Sequence, residues 1–546
     1  MKIKLFLAAS LFFSCALFAT TRYVSPSGNG TPPYTSWSSA ATSILNAVSI
    51  CADGDVVLVS NGVYTIGSAV TPGATTMNRV LITNDIILRS VEGPEKTVID
   101  GLGSTRCVFM SKGTLDGFKL TNGYAITGIG FYNGAGGGLW ITNGCAVTNC
   151  IVINCNAYFI GGGLFYYGGD VYDTVFCNNI CSGSTYYGTS GGAVAGGGTL
   201  LNCIISNNYC MSVAGGIFNY GGPISVKNCK IVNNSAVNMG GGTYGGNIYN
   251  SLLAGNFASD GGGAYNTFLS NCVITANCAT NNGGGMYWGT ARDCKIIGNV
   301  TTNDGGGGYE VWLIEKCLVG NNSAMRGGGI FGQGCVSSSI ISNNTAKSCG
   351  GGVCFIKNYS SGLFAMTNCL IVASNTAEYG GGLALLGNGN IFSCTIADNL
   401  AKKTGGGVYC TTALYNDQIN FYDTIIYNNL ALENENNWFT NGTISANFSA
   451  CCTYPTNGLP QYEVNCIPDN PLFVSSDYDY HLQVESPCID AGIDRPWMTG
   501  ATDLDGNPRV QGGGVDIGCY ELVPEPIFFA TFAFALLIIK KLRHRA

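Results

Sequence analysis

The chain has 546 residues, 80 of them glycine, with 46% hydrophobic and 10% charged residues and a formal net charge of −7. The absence of a Gly-x-y period and the presence of only 15 prolines exclude collagen, and the apolar share excludes a disordered chain. Six of the 25 basic residues (Lys2, Lys4, Lys540, Lys541, Arg543, Arg545) and one of the 32 acidic ones (Glu525) lie in the two end segments, so the body carries 19 basic against 31 acidic residues, a charge of −12, and nucleic acid is not an expected partner.

The first segment, MKIKLFLAASLFFSCALFAT, places Lys2 and Lys4 before an apolar run that ends in small residues near Ala19. That is the layout of a secretory signal peptide over 1–19 and implies export. Cys15 raises a lipoprotein alternative, but Phe12-Phe13-Ser14 fits a lipobox poorly. Residues 20–128 read as an N-terminal cap and the first coils. SILNAV (43–48) is a short amphipathic helix able to cover an open end. GDVVLVSNGVYT (54–65), DIILRS (85–90), VID (98–100) and LDGFKLTNG (115–123) are short strand patterns.

Residues 129–432 repeat. Twelve lines end their glycine runs at 138, 163, 192, 216, 242, 263, 285, 308, 329, 352, 382 and 407, in steps of 21 to 30 residues. Such a period signals a solenoid. Each line holds short β-branched stretches such as IVNN, IISNN and VITAN, none long enough for a helix. One line is therefore one coil of a parallel β-helix, and twelve coils make a rod of roughly 55 Å.

Three columns support this. An IxxN asparagine recurs at Asn179, Asn208, Asn234, Asn256, Asn277, Asn299, Asn322, Asn344, Asn375, Asn399 and Asn429, with Cys155 the exception. Asparagine tolerates positive φ at a bend and can bond to its counterpart one coil away, so a structural ladder is expected. A second column, including Cys150, Thr174, Cys203, Cys229, Ser251, Cys272, Cys294, Cys317 and Ser339, accepts only Cys, Ser or Thr. It reads as an inward stack of packing groups. Loss of Cys15 leaves 25 of the 26 cysteines, an odd number, and one-coil spacing excludes zinc-type CxxC sites. The glycines mark a second corner, needing positive φ or close backbone approach. They are not a phosphate-binding loop, because a strand and not a helix follows them.

Two residues beyond the aligned glycine stand Trp140, Phe165, Phe218, Tyr244, Tyr265, Tyr287, Phe331 and Tyr409. Strand alternation sends them to the outer face, where an aromatic stripe can stack on sugar rings or simply pack on itself. The densest charge cluster is Arg292, Asp293, Lys295, Asp304, Glu310, Glu315, Lys316 and Arg326. Arg292 aligns one coil from Glu315, and Asp293 one coil from Lys316, which suits cross-strand ion pairs. The catalytic alternative draws on Arg292, Asp293, Lys295, Glu310 and Glu315. The only histidines are His481 and His544, so no His-dependent triad lies in the coils. The two-motif lines resemble the GGA(I/L) and FxxN repeats of chlamydial polymorphic outer-membrane proteins.

The region 433–522 differs in composition. Its Asp503-Leu504-Asp505-Gly506-Asn507 offers oxygen ligands two residues apart at Asp503, Asp505 and Asn507, as in Ca²⁺ loops, without the distal Glu of an EF-hand. No other cofactor is indicated. CCTYPTNGLPQYEVNCIPDNPLFV, DYHLQVESPCIDAG and DLDGNPRVQGGGVDIGCYE, with YVSPSGNGTPPYTSW near the start, resemble choice-of-anchor Q proteins. That resemblance implies an exported right-handed β-helix with an interchangeable surface anchor. The last segment, 523–546, holds Pro524-Glu525-Pro526, an apolar run from Ile527 to Ile539 and a basic end. It resembles the PEP-CTERM sorting signal, which implies an exosortase-type enzyme as partner and membrane contact through the tail.

The expected fold is all-β, a right-handed parallel β-helix with a short N-terminal cap and a small C-terminal domain. The expected function is that of an exported cell-surface, outer-membrane or secreted protein, structural or adhesive, binding polysaccharide or a cell-surface partner. The alternative is a pectate-lyase-like lyase or hydrolase of acidic glycans, a reading that fold alone does not establish.

Overall fold

The computed structural model describes residues 19–125, 131–183, 189–356, 364–411, 417–441, 444–454, 465–475 and 479–523. Apart from Ala19 and Val523, the expected signal peptide and sorting segment lie outside the described residues.

The chain winds as a right-handed parallel β-helix with three sheets, of 28, 16 and 13 strands among the described residues. One coil shows the plan. Val273–Thr275 belongs to the second sheet, Cys278–Asn282 to the third and Met286–Arg292 to the first. The next coil repeats the path in register, with Val273 opposite Lys295 and Ile274 opposite Ile296. Most coils give the first sheet two rows of strands, as in Ile330–Gly332 and Cys335–Ser337. Sixteen second-sheet strands one above another make a stack of about 72 Å.

Side chains sort by strand alternation. The central residue of each second-sheet strand points inward, and Ile205, Ile231, Leu253, Ile274, Ile296 and Val319 are all fully buried in one continuous core. Their outward neighbours Ile204 and Val273 are 38% and 37% exposed. The helix Ile44–Val48 buries Ile44, Ala47 and Val48 over the first coils. Beneath it Arg106 is wholly buried and donates to Thr71 Oγ1, Asn78 Oδ1 and the carbonyls of Ala135 and Gly136.

Each corner has its own cause. The ladder asparagines are themselves not the positive-φ residues. The left-handed residue precedes them, as at Asn207, Asn233, Ala276, Gly298, Asn321 and Asn343. The same displacement holds at the Cys/Ser/Thr corner, where Asn202, Asn228, Asn271, Asp293 and Lys316 are left-handed and the next side chain turns inward. The bend therefore uses one residue to reverse the chain and the following one to fill the space made. In the glycine runs the first member has positive φ, for example +66° at Gly283, while the second lies too close to neighbouring main chain to carry a side chain.

Turned inward, the asparagines form one file. Asn277 Oδ1 accepts from the backbone N–H and side-chain amide of Asn256 at 2.9 and 3.0 Å, while its own Nδ2 donates to the Leu253 carbonyl and to Asn299 Oδ1. The pattern runs from Cys155 N–H on Asn179 Oδ1 to Asn429 on Asn437, which reaches in from the glycine corner and ends it. The second file is built likewise. Cys229 N–H donates to Ser251 Oγ, Cys203 N–H to Cys229 Sγ, and Cys317 N–H to Ser339 Oγ.

The C-terminal region folds back over the outer face of the second sheet. There Leu370, Thr395, Ile425 and Cys452 are 0–5% exposed, unlike their counterparts Ile204 and Val273. Asn368 Nδ2 donates to the Thr502 carbonyl, the Tyr480 hydroxyl to Asp398 and Arg495 Nε to Asp423. Inside this region the wholly buried Arg509 pairs with Glu521 at 3.1 Å and donates to the Gly518 carbonyl. Burial raises the Glu521 carboxyl to about 8 despite that guanidinium.

Candidate functional site

The aromatic column occupies the outer face of the first sheet, and its rings lie on one another. Centroid separations are 4.9 Å for Tyr244–Tyr265, 4.8 Å for Tyr265–Tyr287, 4.6 Å for Tyr287–Tyr309 and 5.4 Å for Tyr309–Phe331. Phe218 joins at 5.4 Å from Tyr244, and Tyr409 meets Phe439 further along. Trp140 and Phe165 sit edge to face at 5.6 Å in a second packed group. Stacking covers the rings, leaving Trp140 at 7%, Phe165 at 0%, Tyr265 at 6% and Phe331 at 5% exposure.

Tyr309 belongs to this column, opposite Tyr287 and Phe331, although counting from the last glycine points one residue further on to Glu310. A fourth glycine, Gly308, occupies the strand position held by Met286 and Ile330 in the adjoining coils. In an earlier coil Ala193 stands one position before that, where the adjoining coils have Gly163 and Gly216, so the ring position there is Ala195.

The aromatic surface open to solvent comes from the bend between the two rows of the first sheet. Trp288 is 40% and Trp312 58% exposed. Trp288 rests against Tyr265 and Tyr287 at 5.6 and 5.2 Å. The Trp312 backbone N–H donates to the Gly289 carbonyl at 2.9 Å, so Trp312 lies on the coil next to that of Trp288, against the residue that follows it. Sequence counting misses both because they stand outside the column, in residues whose place depends on where the sheet bends.

Polar groups flank the stacked rings on the glycine side. In register before the glycines run Asp260, Asn282, Asp304 and Arg326. Asp304 and Arg326 form a two-pronged pair at 2.9 and 2.6 Å, and the guanidinium lies 4.6 Å from the Phe331 ring centroid. Asp260 accepts from Asn281 and Asn282, and burial raises its carboxyl. Burial first, then the neighbouring Tyr244 and Asp260, pushes the Tyr265 hydroxyl up to about 12, so that hydroxyl stays a neutral donor.

The charged candidates do not converge. Arg292 and Glu315 pair across adjacent strands at 3.0 Å in the second row of the first sheet. Asp293 and Lys316 are stacked at the next corner, yet among the described residues no ion pair joins them. Lys295 is exposed on the second sheet, and Glu310 sits at the bend, where it accepts from the Gln333 N–H at 3.3 Å. The half-exposed Arg292–Glu315 pair is worth under about 1 kcal/mol.

A groove of about 460 Å³ opens where the C-terminal turn meets the coils, lined by Lys316, Ser338, Asp503, Asp505 and Tyr520 among others. Asp503 accepts from the backbone N–H groups of Asp505, Asn507 and Glu521 and from the Asn507 amide. Asp505 Oδ2 lies 2.7 Å from His481 Nε2, and Asp479 Oδ1 lies 2.5 Å from His481 Nδ1. A Ca²⁺ ion at Asp503, Asp505 and Asn507 would compete with those donors. Partial burial lowers the His481 pKa, but the two carboxylates outweigh it and raise the imidazole above its ordinary 6.5. The stabilisation is therefore complete below pH 6.5 and lost as pH rises through the raised value. Faster hydrogen exchange in the Phe473–Leu482 hairpin above that pH, abolished in His481→Asn, is the expected result.

No family model matches the chain, and no curated protein is similar to it in sequence. Solved structures that align with it include pectate lyase Pel9A, at 12% identity over 92% of this chain and 96% of that one, with a TM-score of 0.23. The A-module of the Azotobacter vinelandii mannuronan C-5 epimerase AlgE4 aligns at 13% identity over 72% and 91%, with a TM-score of 0.28. XylC in its complex with xylose aligns at 10% identity over 92% and 98%, also at 0.28. Such scores say nothing about the site; the fold stands on the strand register.

Proposed function

We propose that this chain is an exported β-helical rod, structural or adhesive in role, that binds polysaccharide through Trp288 and Trp312. One observation carries the reading: two indoles open to solvent on adjacent coils, Trp288 backed by the stacked Tyr265 and Tyr287. An indole face held rigid from behind packs against the apolar face of a sugar ring at little entropic cost. Asp260, Asp304 and Arg326, along the glycine-side edge of the ring column, offer hydrogen-bonding groups for sugar hydroxyls.

In this reading residues 1–19 direct export, and 523–546 bring the rod to an exosortase-type enzyme and the membrane. The stacked column from Trp140 to Tyr409 is the support of the patch, not its contact surface. The lyase or hydrolase alternative draws on the groove that brings Lys316 near Asp505.

The test is migration through gels containing acidic or neutral polysaccharides, with reducing and unsaturated ends assayed in parallel. The intact chain is expected to be retarded by at least one polysaccharide without cleaving it. Trp288→Ala with Trp312→Ala should lose most of that retardation, about tenfold or more in affinity, at unchanged thermal stability. Retardation that survives both changes would remove the indoles from the site, and released ends would favour the enzyme.

A further inference from the structure

The column of rings is interrupted after Phe331 by Cys354 and Ala384, in register with it and with each other. Into the space left by the missing ring reaches Cys349, from the other side of the corner Gly350–Gly351–Gly352. Its Sγ lies 3.4 Å from Cys354 Sγ. Cys354 is fully buried, whereas Cys349 is only partly so. Arg326 stands opposite Cys349 on the adjacent strand, held there by Asp304.

We propose that Cys349 and Cys354 are the redox-active pair of this chain and close to a disulfide across the glycine corner. The two sulfurs already touch, so bonding requires side-chain rotation and a short approach, not a rearrangement of coils. Contact with Cys354, helped by the Arg326 guanidinium, outweighs partial burial and holds the Cys349 thiol below its ordinary range, which favours the attacking thiolate.

The ladder thiols stand differently. Cys272, Cys294 and Cys317 are 1–3% exposed, and each donates its S–H to the carbonyl two residues back. An oxidant cannot reach them in the folded rod. The reaction is an exchange with a small disulfide. The Cys349 thiolate attacks one sulfur of the donor and expels one thiolate. Cys354 then loses its proton and attacks the Cys349 sulfur of the mixed disulfide, expelling the second. Two protein thiols are oxidised, and one donor disulfide is reduced to two thiols.

The experiment treats the folded, reduced chain with glutathione disulfide, quenches with acid, alkylates after denaturation and maps the peptides by mass. The peptide carrying both thiols is expected to lose the mass of two hydrogens. The exposed Cys335, which has no such neighbour, should stop at the glutathione adduct, and Cys272 and Cys294 should be recovered as free thiols. Cys354→Ser, which places another small side chain beside Ala384, should leave Cys349 at the adduct stage. The proposal is overturned if Cys349 in the unaltered chain stops at the adduct or stays reduced. It is equally overturned if another pair, such as Cys451 with Cys466, oxidises first.

Discussion

Asn277→Leu is expected to destabilise the protein by about 3–5 kcal/mol, lowering its urea midpoint with little change in slope. Leucine keeps the branched outline, with bulkier methyl groups, but removes four hydrogen bonds at a site 1% exposed. The Asn256 N–H is then buried without a partner, at about 1–3 kcal/mol, and the Leu253 carbonyl keeps only its strand-ladder donor. The side-chain amides of Asn256 and Asn299 each lose one of their four hydrogen bonds as well. The control is Asn271→Ala, six residues earlier. There the side chain is exposed and bonds only to Asn250, so the loss is that of an asparagine well suited to φ 51°, about 1 kcal/mol. Equal effects at the two positions would deny the ladder its role.

Gly284→Ala is expected to be worse, by more than about 4 kcal/mol, and to leave little soluble protein. A Cβ there would stand 2.5 Å from the Val300 carbonyl oxygen and 2.6 Å from that of Gly306. Both are main-chain atoms of the next coil, so relief requires the coils to part at the corner, with loss of the Gly284–Gly305 and Gly285–Gly306 hydrogen bonds. Gly298→Asn separates this from a general need for glycine. Gly298 has φ +67° and nothing within 4 Å of the added atom, and the equivalent residues Asn321 and Asn343 are asparagines at 55° and 56°. Its effect should stay within about 0.5 kcal/mol, read from soluble yield and urea midpoint.

The two substitutions also mark how far the sequence could be read. A solenoid in register turns a recurring residue into a structural slot, so the period, the coil and the inward file of asparagines follow from spacing alone. The fold class was legible for that reason. The division of labour within NN and NC pairs was not, since both residues are polar and only the corner geometry separates the left-handed one from its inward neighbour. The glycines hid a similar division between a first member chosen for φ and a second chosen for close approach.

Counting failed where the repeat changed by one residue. The run Gly305–Gly308 moved Tyr309 out of the aligned column, and strand pairing restored it. The outer face was predicted as an aromatic stripe, and the stripe exists, but its rings cover each other. Trp288 and Trp312 stand open instead, and their exposure depends on a bend that no period encodes. The triad Asp479, His481 and Asp505 was equally beyond reach, because it joins a hairpin to a turn that follows some twenty residues later.

The central claim is that successive lines of the repeat stack in register along one axis. Spin labels on ketone-bearing residues at Lys119 and Lys295, seven steps apart in the second sheet, test it directly. Stacking predicts a narrow distribution near 34 Å, falling to about 19 Å when the second label moves to Lys230, four steps from Lys119. A broad distribution, or a separation that does not shorten with that move, would contradict the rod.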